Sequence, residues 1–200
     1  MKIYTTTKPL ILGSASPRRK DLLGSAGIEF KIQPACGEEP KPLPGQNPEE
    51  YAKKTALLKA LEVSEAHPGN YVLGADTIVV RDMDILGKPA DQDEAFGMLK
   101  SLCGRSHKVI TGCALIGPDG NSVNFSVSTD VEFIDFEEKC IRAYVTTGEP
   151  DDKAGAYAIQ GLGAFLVKGI CGSYTNVVGL PLARVIETLV QWGVVVPGDE

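Results

Sequence analysis

The sequence predicts an α/β protein in which a mixed β-sheet is flanked by helices. Two observations carry this. Short apolar runs bounded by turn residues alternate with stretches whose apolar positions recur every three to four residues, the pattern of strands joined through helices. Between two long apolar segments lies Pro118-Asp119-Gly120-Asn121, a turn signal that makes those segments antiparallel neighbours, so the sheet is mixed. No composition shift or linker divides the 200 residues, so a single domain over 1–200 is expected.

The elements follow in order. Leu10 to Leu12 reads as a short buried strand. Ser16 is a good N-cap and Pro17 suits a first helical turn; Leu22, Leu23 and Ala26 supply an apolar side, and Gly27 ends the helix. Ile28 to Ile32 is a second strand. Pro34 to Pro48 holds five prolines and is a loop. Asn47-Pro48-Glu49-Glu50 opens a helix that runs to about Glu65. Tyr71 to Val80 is a strand, interrupted only by Gly74-Ala75-Asp76-Thr77. Asp91 and Glu94 start a helix on Ala95, Met98, Leu99 and Leu102, closed by Gly104. Val109 to Ile116 is a strand. Beyond the turn, Val123, Phe125, Val127, Thr129, Val131 and Phe133 alternate as one long half-buried strand. Glu137 to Thr147 is helical and Gly148 stops it; Ala164 to Lys168 is strand; Pro181 begins a last helix on Leu182, Val185, Ile186 and Leu189, ended by Gly193.

The bulk numbers exclude some functions. A net charge of −6 argues against a general nucleic-acid surface, though not against a local basic pocket. Five cysteines, an odd number with no C-x-x-C spacing, fit neither a disulfide framework nor a zinc site, and point to a reducing cytoplasm. The three-residue apolar run near the N-terminus is too short for a signal peptide or a membrane span.

Ser14-Ala15-Ser16-Pro17-Arg18-Arg19-Lys20 places three cationic side chains at a helix start, where the positive end of the dipole favours acids. An anion nearby would reconcile them, and small residues at 13 to 16 would let backbone approach it, so a polyphosphate is the candidate ligand. A capped helix with solvated basic residues is the plainer alternative. No P-loop is present. Asp76 lies in an apolar strand, where a charge is costly unless paired or used. It can orient a water as general base, hold a divalent cation, or simply bond to a turn. Glu38-Glu39 could add a metal oxygen, with surface charge the stronger reading. Lys59 shares a helical stripe with Ala52, Ala56 and Val63 and either reaches a cleft or snorkels outward. Lys88, in a turn after the Asp76 strand, could return to the same sheet end. His107 reads more readily as a structural donor than as an acid–base group. In Asp152-Lys153-Ala154-Gly155-Ala156-Tyr157-Ala158-Ile159-Gln160-Gly161, Gln160 offers the donor and acceptor that reading a base edge requires, and Tyr157 either stacks or packs.

Together these segments resemble the Maf family, the septum-formation-inhibitor-like nucleotide pyrophosphatases. The motifs are S-x-S-P-R-R at 14–19, G-A-D-T at 74–77, G-K-P at 87–89, D-K-A-G-A-Y-x-I-Q-G at 152–161 and V-x-G-L-P at 177–181, in order from Leu10 to about Gly193. Gly13, where the family commonly has alanine, is a mild departure. The resemblance implies an inosine-triphosphatase-like architecture with an active-site cleft. It also implies hydrolysis of a nucleoside triphosphate to the monophosphate and pyrophosphate with a divalent cation, Mg²⁺ or Mn²⁺, and a homodimer that keeps nucleotide pools clean. Carried over by position, Asp76 is the catalytic base and Arg18, beside Ser16, binds phosphate. Glu38, Lys59 and Lys88 match further acidic and basic site positions, and Glu38 and Asp76 are the candidate metal ligands. Arg18, Thr77 and Gln160 fall where branches of the family differ. Here they resemble the dTTP- and UTP-hydrolysing branch, which includes modified pyrimidine nucleotides, rather than the 7-methyl-GTP branch with its S-P-W-R, S-D-Q and S-E-G patterns. Two other readings stay open: a pyrophosphatase for 7-methyl-GTP or another non-standard purine, and a non-catalytic nucleotide-binding regulator of cell division.

Overall fold

The computed structural model describes residues 3–198. In chain order it contains β1 (Tyr4–Thr6), β2 (Leu10–Leu12), α1 (Pro17–Ser25), β3 (Lys31–Ile32), α2 (Pro48–Ala66), β4 (Tyr71–Arg81), β5 (Asp84–Leu86), α3 (Gln92–Leu102), β6 (Ser106–Ile116), β7 (Ser122–Phe133), α4 (Glu138–Thr146), β8 (Val167–Cys171), α5 (Tyr174–Val178), α6 (Leu182–Gln191) and β9 (Val195–Pro197). Short 3₁₀ turns at Glu149–Asp152, Ala154–Ala156 and Gly161–Leu166 connect α4 to β8.

The main sheet has strand order β3-β2-β4-β6-β7-β8, with β5 folded back on β4. β2 runs parallel to β3 and β4, and the other pairings are antiparallel, so the sheet is mixed as its sequence predicts. The turn at 118–121 joins β6 to β7, in register from Ser106 opposite Glu132 to Ile116 opposite Ser122. One face packs against α1 and α6 through Leu23, Leu73, Leu115, Val185 and Leu189. The same face meets α3 and α4 through Val79, Leu99, Val109, Val131 and Ile141. The opposite face is covered by α2.

How α2 lies on that face decides the site. Its Ala52, Ala56 and Ala60, spaced by four, are fully buried. Under them are two sheet glycines. A Cβ at Gly112 would stand 2.3 Å from the Ala52 carbonyl oxygen, and one at Gly74 2.5 Å from that of Ala56. The helix backbone therefore rests directly on the sheet. Gly112 is also the cross-strand partner of Asp76, so the closest approach is beside that acid.

Several expectations need correction. The strand expected at Ile28 to Ile32 is only Lys31–Ile32, because Ile28 turns into the core packed by α1 and α6. The strand expected at Ala164 to Lys168 begins at Val167; Gly161–Leu166 is a 3₁₀ turn whose N–H groups go to a carboxylate instead of a sheet partner. Ser16 stands at the N-cap of α1 but its side chain makes no cap bond. Four elements escape the sequence. β1 and β9 pair with each other across the whole chain, which no local pattern shows. β5 follows a turn with positive φ at Asp82 and Met83, so no glycine announces it. α5 is five residues long, too short for a period. Residues 1, 2, 199 and 200 of the expected 1–200 domain lie outside the described residues.

Candidate active site

A cleft of about 610 Å³ opens where β2, β4 and the loops after α4 converge. Ser16, Arg18, Lys59, Asp76, Thr77, Lys88 and Gln160 all line it, although they come from segments far apart in the chain. Glu38 does not line it; its neighbour Glu39 does. Of the acidic pair at 38–39 it is therefore the second residue that faces the cleft, a one-residue difference that loop composition cannot register.

Asp76 is 6 % exposed and sits in the middle of β4, which continues unbroken through Gly74-Ala75-Asp76-Thr77. It carries Lys59 Nζ at 2.7 Å from Oδ1, so its burial is paired. The same ammonium lies 2.8 Å from Glu39 Oε1. Lys59 reaches inward because the alanine face of α2 holds the helix against the sheet at this point. Burial pushes the Glu39 carboxyl up, but Lys59, Lys88 and Arg19 outweigh it and hold the group below the ordinary carboxylate value.

Arg19 is the residue that sequence reasoning missed. On α1, next to Arg18, it is committed to four partners. Its Nε donates to the Gly179 carbonyl (2.8 Å), Nη1 to Ser14 Oγ and the Ala75 carbonyl (both 3.0 Å), and Nη2 to Thr77 Oγ1 (3.0 Å). Thr77 Oγ1 is also 2.9 Å from Thr111 Oγ1. Arg19 ties the start of α1, the strand at Asp76 and the 179 turn into one wall. In the sequence it stands in the cationic cluster at 18–20 and in the S-x-S-P-R-R motif, with nothing to tell its role from that of Arg18. Arg18, lining the cleft, is the arginine available to a ligand.

Across the cleft, Gly155 adopts φ +65° over Val79, where a Cβ would meet that side chain at 2.8 Å. Its N–H donates to the Gly87 carbonyl at 3.0 Å, linking the Lys88 turn to the loop that carries Gln160. Lys153 from this loop also lines the cleft. His107 lies behind the cleft wall: its Nε2 is 2.7 Å from the Tyr157 hydroxyl, with Phe133 edge-on to both rings. Burial pushes the His107 imidazole down to about 4, so it is neutral at physiological pH and serves packing.

The cleft therefore sets Arg18, Arg19, Lys59, Lys88 and Lys153 against Asp76, Glu39 and Asp152. An excess of cations around one enclosed carboxylate suits a polyphosphate. Among the described residues no group of three or more His, Cys, Asp or Glu side chains could hold a metal ion. Asp76 and Glu39 nevertheless share one positive point, the Lys59 ammonium. Two carboxylates completed by substrate oxygens and water are a donor set that fits Mg²⁺. All five cysteines are free. No helix among the described residues is long and apolar enough to cross a membrane.

A family model described as Maf-like protein fits residues 9–192. The dTTP/UTP pyrophosphatase of Nitratidesulfovibrio vulgaris is 46% identical over 96% of this chain and 91% of its own length. That of Symbiobacterium thermophilum is 50% identical over 92% and 94%. Among solved structures, a HAM1 protein from Coxiella burnetii shares the fold with a TM-score of 0.52 and 13% identity, covering 92% of this chain and all of the other.

Proposed function

The chain belongs to the Maf-like protein family, and from that premise we propose that its cleft hydrolyses dTTP, UTP and modified pyrimidine nucleotides to the monophosphate and pyrophosphate. Water attacks the α-phosphorus. The new bond is P–O from water, the broken one is the α–β bridging P–O, and Asp76 takes the proton as general base. Charge grows on the equatorial oxygens and on departing pyrophosphate, and Arg18, Lys59 and Lys88, from three separate segments lining the cleft, would stabilise it. Ser16, beside Arg18, adds a hydroxyl at the phosphate end, and Thr77 and Gln160 line the base end. Asp76 and Glu39 are the residues that would hold a divalent cation, Mg²⁺ or Mn²⁺. Such an ion neutralises phosphate charge.

The observation that carries the reading is the Lys59 ammonium shared by Asp76 and Glu39 inside a cleft that Arg18 and Lys88 also line. The test is pyrophosphate release from UTP, dTTP, 7-methyl-GTP and ITP with Mg²⁺. UTP and dTTP are expected to lead. A lead for 7-methyl-GTP would move the chain to the other branch, and binding without turnover would make it a regulator. Arg18→Ala should raise the KM for UTP by about 10- to 100-fold, the worth of a charge-assisted hydrogen bond to phosphate. An unchanged KM would remove Arg18 from the phosphate site. The chain is read as a single catalytic domain. A cytoplasmic homodimer is the state the family likeness and the free cysteines favour, and sedimentation at working concentration tests the dimer.

A further inference from the structure

Gln160 is carried on a short span between two fixed points. Upstream, the Tyr157 hydroxyl is held by His107 at 2.7 Å. Downstream, the half-buried Glu149 carboxylate grips the turn that follows Gln160. Its Oε1 accepts the Gly163 N–H at 2.8 Å and the Tyr144 hydroxyl at 2.9 Å, and its Oε2 accepts the Leu162 N–H at 3.0 Å. Between the two anchors stand Ala158, Ile159 and Gln160, all lining the cleft, and then Gly161. Gly161 takes φ +75°, and a Cβ there would lie 2.7 Å from Glu149 Oε2, so the carboxylate lies directly against the residue after Gln160. Glu149 also binds its own loop, since Lys153 Nζ donates to its carbonyl at 3.0 Å.

Burial pushes the Glu149 carboxyl up, but the two N–H donors, the Tyr144 hydroxyl and Lys153 hold it below the ordinary value. At neutral pH it is an ionised acceptor, which makes its bonds to the turn stronger than those of a neutral amide. A site discriminates bases through hydrogen bonds only when its polar groups are fixed in place, because a group that can swing away satisfies the wrong edge as well.

We propose that Glu149 is a positioning residue for base selection, locking the turn after Gln160 so that the Gln160 amide meets one edge of a pyrimidine. This rests on the reading of Gln160 given above. Uracil presents N3–H and O4, a donor and an acceptor that a fixed amide can pair with; cytosine reverses both. UTP and CTP are therefore the probes.

The experiment measures kcat/KM for UTP and CTP in the full chain and in Glu149→Gln, Gly161→Ala, Gln160→Ala and the double variant Glu149→Gln/Gln160→Ala. Glu149→Gln keeps the shape but leaves one oxygen where two N–H groups need acceptors. Gly161→Ala leaves Glu149 intact and presses on its carboxylate. Each should narrow the UTP/CTP ratio by about tenfold, one hydrogen bond's worth. The double variant should narrow it no further than Gln160→Ala alone. An equal loss for both nucleotides with the ratio kept would make Glu149 merely structural and overturn the proposal, as would additive narrowing in the double variant. Gln160→Ala with the parental ratio would overturn the reading of Gln160 itself. Gln160→Ala with a narrowed ratio beside Glu149→Gln with the parental one would overturn only the role of Glu149. If Glu149→Gln fails to fold, Tyr144→Phe, which removes one of the three bonds to the carboxylate, takes its place with a smaller narrowing expected.

Discussion

Asp76→Asn is expected to fold like the parent and to lose about 10²- to 10⁴-fold in kcat, the usual contribution of a positioned general base. The fold should survive because asparagine is isosteric and its oxygen can still accept from Lys59. Lys59 also keeps Glu39, so the substitution leaves no buried cation without a partner. At saturating Mg²⁺, which offsets a weaker carboxylate ligand, the loss should fall chiefly on kcat, with the KM for UTP moving less, since Arg18 and Lys88 are untouched. Pyrophosphate release and thermal unfolding on the same sample check it. Near-parental kcat with unchanged unfolding would remove Asp76 from the chemistry.

The second large effect is on stability. Gly112→Ala is expected to destabilise the protein by about 1–3 kcal/mol, the usual cost of overpacking, which lowers Tm by roughly 2–12 °C. The added Cβ would stand 2.3 Å from the Ala52 carbonyl oxygen and 2.7 Å from the Lys53 nitrogen, both helix backbone, which no rotamer change can relieve. α2 must lift. Lys59 rides on α2 and Asp76 lies across from Gly112, so activity should fall with stability. Gly97→Ala is the control with the opposite sign. Gly97 lies inside α3, nothing stands within 4 Å of its missing Cβ, and alanine is the better helix former by about 1 kcal/mol. A Tm lowered by Gly97→Ala or unchanged by Gly112→Ala would contradict this account of how α2 is seated.

The same glycine comparison shows where sequence reading stops. Gly97 and Gly112 are each a glycine inside a regular element, and only the partner surface tells them apart. Gly13 is the contrasting case: its missing Cβ would meet the Leu73 carbonyl at 3.4 Å, an ordinary contact, so the space there would take an alanine. Lys59 had two readings on its helical stripe, and the depth at which α2 sits favours the inward one. Glu39 in place of Glu38, and the inward Arg19 beside Arg18, are differences of one position within charged pairs. Composition treats such pairs as equivalent, while a loop path or a 100° helical rotation gives the two members different partners.

What the amino-acid sequence determined by itself was the mixed α/β class, the order of the main helices and strands, the hairpin at 118–121 and the motif residues, because periodicity, caps and turn chemistry are local properties of a chain. The family followed from motifs kept in order along it. Only the tertiary structure decided which carboxylate shares the Lys59 ammonium, which arginine is spent on the wall, and which acid clamps the turn after Gln160. Those outcomes depend on the spacing between a helix and a sheet, or between two loops, and that spacing is set by contacts among residues far apart in the chain.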